Sequence, residues 1–534
     1  MLKRTFRHAG RAAGAIAALA GLCAANASAQ LPRANAATRP TLVVFLTVDQ
    51  MRSDYFPRFD KQLTGGLARL YRGGAFFSNA FQDHAITETA PGHASTLSGR
   101  FPRGTGITFN AAGVQDPQSP LIGGGGPGAS PFRFRGSALL DWMRVADART
   151  RALSISRKDR GAILPIGRGH QEVYWYAPDR FTTSTYYHDT LPSWIQRFNA
   201  RQLPQQLAGQ QWTLLLPASA YPEPDTVPIE NHSQDFTFPH TLPSDPNIAA
   251  RILPNYPMMD ELTLQAALAG VEAMRLGAGP QTDLLAVSLS STDAVGHAFG
   301  PDSRELHDQI LRVDRYLGAF LDSLFKLRDS TRIVIALTAD HGVQPYPELR
   351  AARTKGAVAR HVDLWSVFAP ISARLTARGI DTSAFRFEEA MIWVDRDAFT
   401  RARVDADSVV REFANAARKV PGVASVDPVR TLAADTARSP IARRWYHMLS
   451  PELPVELVVS LEPYAYWAGV DIATHGTPND DDAKVPVLFW GAPFKRGIYD
   501  EFARVVDMAP TLAQVLGVAP LERLDGHVLT RAVR

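Results

Sequence analysis

Thr41-Leu42-Val43-Val44-Phe45-Leu46-Thr47-Val48 runs without a polar break into Asp49. The run is apolar and β-branched and does not alternate, which suits a strand buried on both faces, as in a parallel sheet. Two more runs have the same character: Asp283 to Ser290, and Thr331 to Thr338. Shorter ones stand at Ala152–Ser156 and Val485–Trp490. Helical spacing fills the intervals, at residues 61–72, near Ser137–Asp147, from Asp260 to Leu276 and from Met508 to Leu516. It is strongest over Arg304–Leu327, where Leu306, Ile310, Val313, Leu317, Phe320, Leu321 and Leu324 share one face. Strands alternating with helices predict an α/β fold with a mainly parallel sheet.

The strands end in residues of one chemical kind. Asp49 follows the first; Asp293 and His297 follow the second; Asp340 and His341 follow the third. A later polar loop, 466–480, carries His475. Open α/β sheets hold ligands beyond the carboxyl ends of their strands. Each of these residues alone reads equally well as a helix cap or a solvated turn. Together they offer three carboxylates and three imidazoles, a donor set that suits two divalent zinc ions. Asp293 and His297 are one helical turn apart and can face one ion.

Thr87-Glu88-Thr89-Ala90-Pro91-Gly92-His93 reads as a loop with a hydroxyl, then a helix start. Pro91 suits a first turn, where its missing N–H is no loss. Thr89 falls at the N-terminus, where free N–H groups and the helix dipole favour negative charge. Read alone, it is an N-cap threonine. Lys158, Asp159 and Arg160 leave the Ala152–Ser156 strand as a charge cluster, which alone would be a solvated turn. Gly123–Gly126 lacks the Gly-Lys-Ser/Thr ending of a phosphate-binding loop and reads as flexible loop.

Residues 1–29 have the pattern of a cleaved secretory leader. Lys3, Arg4, Arg7 and Arg11 precede an apolar run, and Ala27-Ser28-Ala29 precedes Gln30. The run is too short to span a bilayer, so a periplasmic or secreted protein is expected. Residues 30–40 read as a linker. Of the 57 basic residues, four lie in the leader, leaving 53 against 53 acidic. A mature chain without net charge gives no reason to expect nucleic acid or membrane as partner. The single cysteine, Cys23, leaves with the leader, which excludes a thiol nucleophile and a thiolate metal site. The stretch 205–257 is rich in Pro, Ser, Asn and Asp, and 345–465 has strand and helix signals of its own.

Taken jointly, these stretches resemble the alkaline phosphatase superfamily. Within it they are most similar to the PafA-like monomeric, threonine-dependent phosphate monoesterases. The resemblance rests on Val48–Arg52, Thr87–His93, Ser156–Leu164, Ser290–His297, Thr338–Gly342 and Thr474–Gly476. It implies a three-layer α/β/α sandwich over 41–534, with cap insertions at about 112–280 and 345–465. It implies one zinc ion on Asp293, His297 and His475. A second would lie on Asp49, Asp340 and His341, with Thr89 as nucleophilic ligand and a phosphothreonine intermediate. Asn110 matches a donor to the phosphoryl group, and Lys158 and Arg160 match the paired cations of the monoesterase branch. Small phosphate monoesters are the implied substrates and a monomer the implied state. A phosphodiesterase or nucleotide pyrophosphatase of the same superfamily is the alternative; it would replace the two cations with a neutral pocket. A sulfatase would need Cys or Ser in a C/S-x-P-x-R pattern, and position 89 is Thr. A binding protein that had lost turnover would lack a ligand or the hydroxyl, and none is missing.

Overall fold

The computed structural model describes residues 39–123 and 126–534. The expected leader, most of the linker, and Gly124 and Gly125 of the glycine run lie outside the described residues.

Leu42–Val48 is a strand buried at every position, and it lies at the centre of a nine-stranded sheet. Ile333–Thr338 flanks it on one side and Asp283–Leu289 on the other, both parallel to it. Ala152–Ser156 and Glu172–Tyr176 continue the parallel run. Beyond Ile333–Thr338, Val487–Trp490 pairs antiparallel, then Ala75–Phe77 and Gly497–Tyr499 complete that edge. Phe181–Thr182 closes the other edge antiparallel. The mainly parallel sheet is thus present, with Val487–Trp490 and the edge strand Phe181–Thr182 reversed.

Helices cover the sheet in two groups. Gly66–Gly73, Met258–Met274, Ser291–Phe299 and Arg304–Leu327 pack on one another on one side. Thr89–Ser98, Leu139–Ala146, Asp159–Ile163 and Met508–Leu516 form the other group. One continuous apolar core joins both groups to the sheet. The helix expected over 61–72 starts only at Gly66. Asp314 explains the late start: its carboxylate accepts from the N–H groups of Thr64 (2.7 Å), Gly65 (2.6 Å) and Ala68 (3.0 Å). This cap arrives from a distant helix and leaves no local sequence signal.

The expected insertion over 112–280 needs correction. Ala152–Ser156, Glu172–Tyr176 and Phe181–Thr182 belong to the main sheet, and Met258–Met274 to its helical cover. Among the described residues, the irregular stretch around 205–257 stands outside the main sheet, with its own pairing of Gln211–Trp212 to His240–Thr241. Short runs such as Glu-Val-Tyr-Trp-Tyr carry too little pattern to be assigned to a sheet in advance. Within 345–465 the chain builds a separate antiparallel sheet from Phe385–Glu388, Met391–Val394, Val423–Pro428 and Val455–Leu461. One face of it has its own apolar core. Its other face packs Met391, Trp393 and Val458, with Trp445, against Ala85 and Ile86, just ahead of Thr89.

Candidate metal centre and nucleophile

The register brings the strand ends level. Thr47 lies opposite Thr338 and Ser288, and Ser288 opposite Ser156. The chain leaving each strand therefore emerges at one edge, carrying Asp49, Asp340, Asp293 and Lys158. Two compact groups result: Asp293 with His297 and His475, and Asp49 with Asp340 and His341. Within each group one donor atom per residue lies within 4.8 Å of the others. Both sets are the ones expected from the sequence.

Each group is oriented by backbone. Asp293 and His297 share the helix Ser291–Phe299, with His297 Nε2 3.3 Å from Asp293 Oδ1. His297 Nδ1 donates to the carbonyl of Ala473 (2.6 Å), His475 Nδ1 to that of Thr87 (2.7 Å), and His341 Nδ1 to that of Gly342 (3.0 Å). With Nδ1–H spent, each ring offers Nε2 to the centre, as metal-binding histidines do. His297 Nε2 and His475 Nε2 face each other at 3.2 Å. Two lone pairs at that distance repel unless a proton or a cation lies between them. His341 Nε2 and Asp49 Oδ1 are buried without a hydrogen-bond partner. Orphaned, inward-pointing donors of this type are what a divalent cation would satisfy, so the residues fit a metal.

The electrostatics agree. Burial, then the carboxylates of Asp293 and Asp340, push the Asp49 carboxyl up. Burial would raise Asp293 too, but Lys158 and then His297 outweigh it and hold the acid well below its usual range. Burial, with His475 beside it, holds His341 well below the usual imidazole range, so its ring is neutral and fit to ligate.

Thr89 opens the helix Thr89–Ser98 and is buried. Its carbonyl accepts from His93 Nδ1 at 2.9 Å, and the same nitrogen lies 3.1 Å from Asp340 Oδ2. A Cβ on Gly92 would stand 2.2 Å from the carbonyl oxygen of Asp340, so only glycine lets this helix start rest there. Thr89 thus sits beside the Asp49–Asp340–His341 group. Asn110 Oδ1 accepts from the Ala90 N–H (2.9 Å), which leaves Nδ2 as its donor end. Lys158 Nζ lies between the groups, 2.7 Å from Asp49 Oδ2, 2.7 Å from Asp293 Oδ2 and 3.2 Å from Thr89 Oγ1. Arg160 sits apart from it. Its guanidinium lies 3.5 Å from Asp159 and, among the described residues, makes no hydrogen bond or ion pair with Thr89 or the six ligands. Lys158 is in extended backbone and Arg160 is already inside the next helix.

Sequence reasoning missed several residues. Gln50, at φ 65°, donates its N–H to Asp340 Oδ1 (3.1 Å) and its Nε2 to Asp293 Oδ1 (3.0 Å), tying the groups together. Asp482 is buried, its acid pushed up to about 6 mainly by burial. It accepts from Thr477 N and Oγ1 and from Gln344 Nε2, which fixes the loop behind His475. Arg157 lies 3.8 Å from Asp293. Its only signal was its place beside Lys158. Replacing Gln50 with Ala is expected to weaken metal retention by about 10–100-fold, as loss of a ligand-orienting partner does. Dialysis against graded chelator followed by metal analysis checks this.

Residues 43–454 match the family described as Type I phosphodiesterase / nucleotide pyrophosphatase, and the chain belongs to that family. Among its relatives, alkaline phosphatase PhoV of Synechococcus elongatus is 31% identical over 517 residues, covering 92% of each chain. Alkaline phosphatase PafA of Elizabethkingia meningoseptica is 29% identical and covers 94% of this chain and 96% of its own. The crystal structure of wild-type PafA superposes with a TM-score of 0.84, over 93% of this chain and 99% of that one.

Proposed function

We propose that the chain is a metal-dependent phosphate monoester hydrolase, an alkaline phosphatase, with Thr89 as nucleophile. The observation that carries this reading is two ligand triads joined by Lys158, whose ammonium also lies 3.2 Å from the hydroxyl of Thr89 at a helix N-terminus. The relatives named alkaline phosphatase, similar over nearly the whole chain, support it. Asp293, His297 and His475 would hold one zinc ion and Asp49, Asp340 and His341 a second, which when bound make a nearby hydroxyl acidic and take up charge on a departing oxygen.

Thr89 Oγ1 attacks phosphorus in line, and the bond from phosphorus to the alcohol oxygen breaks as the phosphothreonine forms. Water then cleaves that ester, releasing phosphate and restoring the hydroxyl. Charge in such a transfer is spread over the phosphoryl oxygens, so the protein works by position and field. Asn110 Nδ2 donates to one of those oxygens, since the Ala90 and Gly92 N–H groups are already held by Asn110 Oδ1 and the Glu88 carbonyl. Lys158, already within 3.2 Å of Thr89 Oγ1, reaches an oxygen held there by side-chain rotation. Arg160, two residues on, supplies the second cation. We read residues 41–534 as one catalytic domain, exported to the periplasm or beyond after removal of 1–29, and acting as a monomer on small esters. Among the described residues no helix is long and apolar enough to cross a membrane.

The family's description favours a second reading, a phosphodiesterase. A monoester brings two negative charges and a diester one, so a cationic pair selects the former. p-Nitrophenyl phosphate should be hydrolysed faster than its bis ester. Lys158→Ala with Arg160→Ala should slow the monoester by about 100-fold or more, as loss of preorganised charge stabilisation does, and the diester far less. Equal losses on the two esters would reject the monoesterase role of the pair.

A further inference from the structure

Beside Asp293 and His297 the surface opens into a cavity of about 640 Å³. Asn231, Gln234, His240 and Tyr256, from the irregular stretch, form part of its wall, and Arg157 enters from the strand end. In an in-line displacement the leaving oxygen departs on the side opposite the attacking one. Thr89 sits on the Asp340 side, so the alcohol must extend past Asp293 and His297, where this cavity lies.

Arg157 is the unusual group in it. Its side chain is only 16% exposed. The Asp293 carboxylate, at 3.8 Å, is beyond hydrogen-bonding distance, and Oδ2 of that group is already held by Lys158 at 2.7 Å. Arg157 Nε is buried without a partner. The wall's other basic groups beyond His297 are committed: His240 to Glu305 (3.2 Å) and Asp235 (3.3 Å), and His232 to Asp471 (3.2 Å). A desolvated guanidinium with unused donors is costly unless an acceptor reaches it, and a planar fork suits an oxyanion.

We infer that this cavity receives the alcohol part of the ester, and that Arg157 there binds an oxyanion substituent on that alcohol. The substrate class is then phosphate monoesters whose alcohol carries a carboxylate or a second phosphate. This rests on the phosphatase reading above. The test compares kcat/KM of the metal-loaded enzyme on phenyl phosphate and on 3-carboxyphenyl phosphate. In Arg157→Gln the ratio of the carboxylated to the plain ester should fall about tenfold or more, the worth of a charge-assisted hydrogen bond. Arg157→Lys should restore part of the ratio, since it keeps the charge but loses the fork. Gln234→Glu, which adds a repelling charge on the wall, should lower the ratio independently and serves if the arginine variants do not fold. An unchanged ratio, or an equal loss on both esters accompanied by lost metal, would overturn the inference while leaving the phosphatase reading intact. A wild-type enzyme inactive on both esters would sink both.

Discussion

Thr89→Ala should keep its full complement of metal and lose turnover on p-nitrophenyl phosphate by about a thousandfold or more, the scale seen when a nucleophile is removed from an intact site. The side chain is small, and the helix start around it is fixed by other groups. Asn110 holds the Ala90 N–H, and Gly92 rests on the Asp340 backbone. Truncation should therefore leave the architecture unchanged. Metal analysis and kinetics on one preparation decide the matter. Nearly intact activity would mean that another group attacks phosphorus, and loss of metal would mean that Thr89 is chiefly a ligand. The variant should also fail to trap labelled phosphate in acid-quenched samples, whereas the parent protein should trap it.

Chelation should abolish turnover, and added zinc should restore it. His475→Ala should reproduce half of that effect, leaving one metal per chain and reducing turnover by about 100-fold or more, the cost of losing one strong charge-stabilising element. The physical ground is the crowding of charge. Asp49, Asp293 and Asp340 are all buried, and each of the first two lies 2.7 Å from the one lysine. Burial, and then repulsion from Asp293 and Asp340, already pushes the Asp49 acid up. Stripped protein should accordingly melt at lower temperature, because cations that bind only the folded state stabilise it by mass action. Two full metal sites in His475→Ala, or a chelated protein with undiminished turnover, would contradict the ligand assignment.

Much of the centre was legible because its parts sit at strand ends. Leu42–Val48, Asp283–Leu289 and Ile333–Thr338 announce themselves by unbroken burial, and the residues following them inherit a known edge of the sheet. Asp293 and His297 were legible as a pair because a helix places residues four apart on one face. His475 is harder, since it lies in a loop; its residue type marks it as a candidate ligand, and only the resemblance places it with Asp293 and His297. What escaped was everything held by tertiary contact. Gln50 shows no pattern, yet its backbone and side-chain amides span the two triads. Asp314 caps a helix from far along the chain. Glu172–Tyr176 is too short to declare its sheet, so the pattern within 112–280 does not set this part of the core apart from an insertion.

The antiparallel sheet within 345–465 packs one of its faces on Ala85 and Ile86. Asp83, next in line, is clamped by Arg443 at 2.9 Å and by the ring of His447 at 3.3 Å. The segment leading into Thr89 is therefore braced from outside the central sheet. Any minimised version of this enzyme that deletes the smaller lobe would unmoor the segment leading into the Thr89 helix. Chimeras that swap that lobe between relatives would need to carry the 83–86 segment across with it.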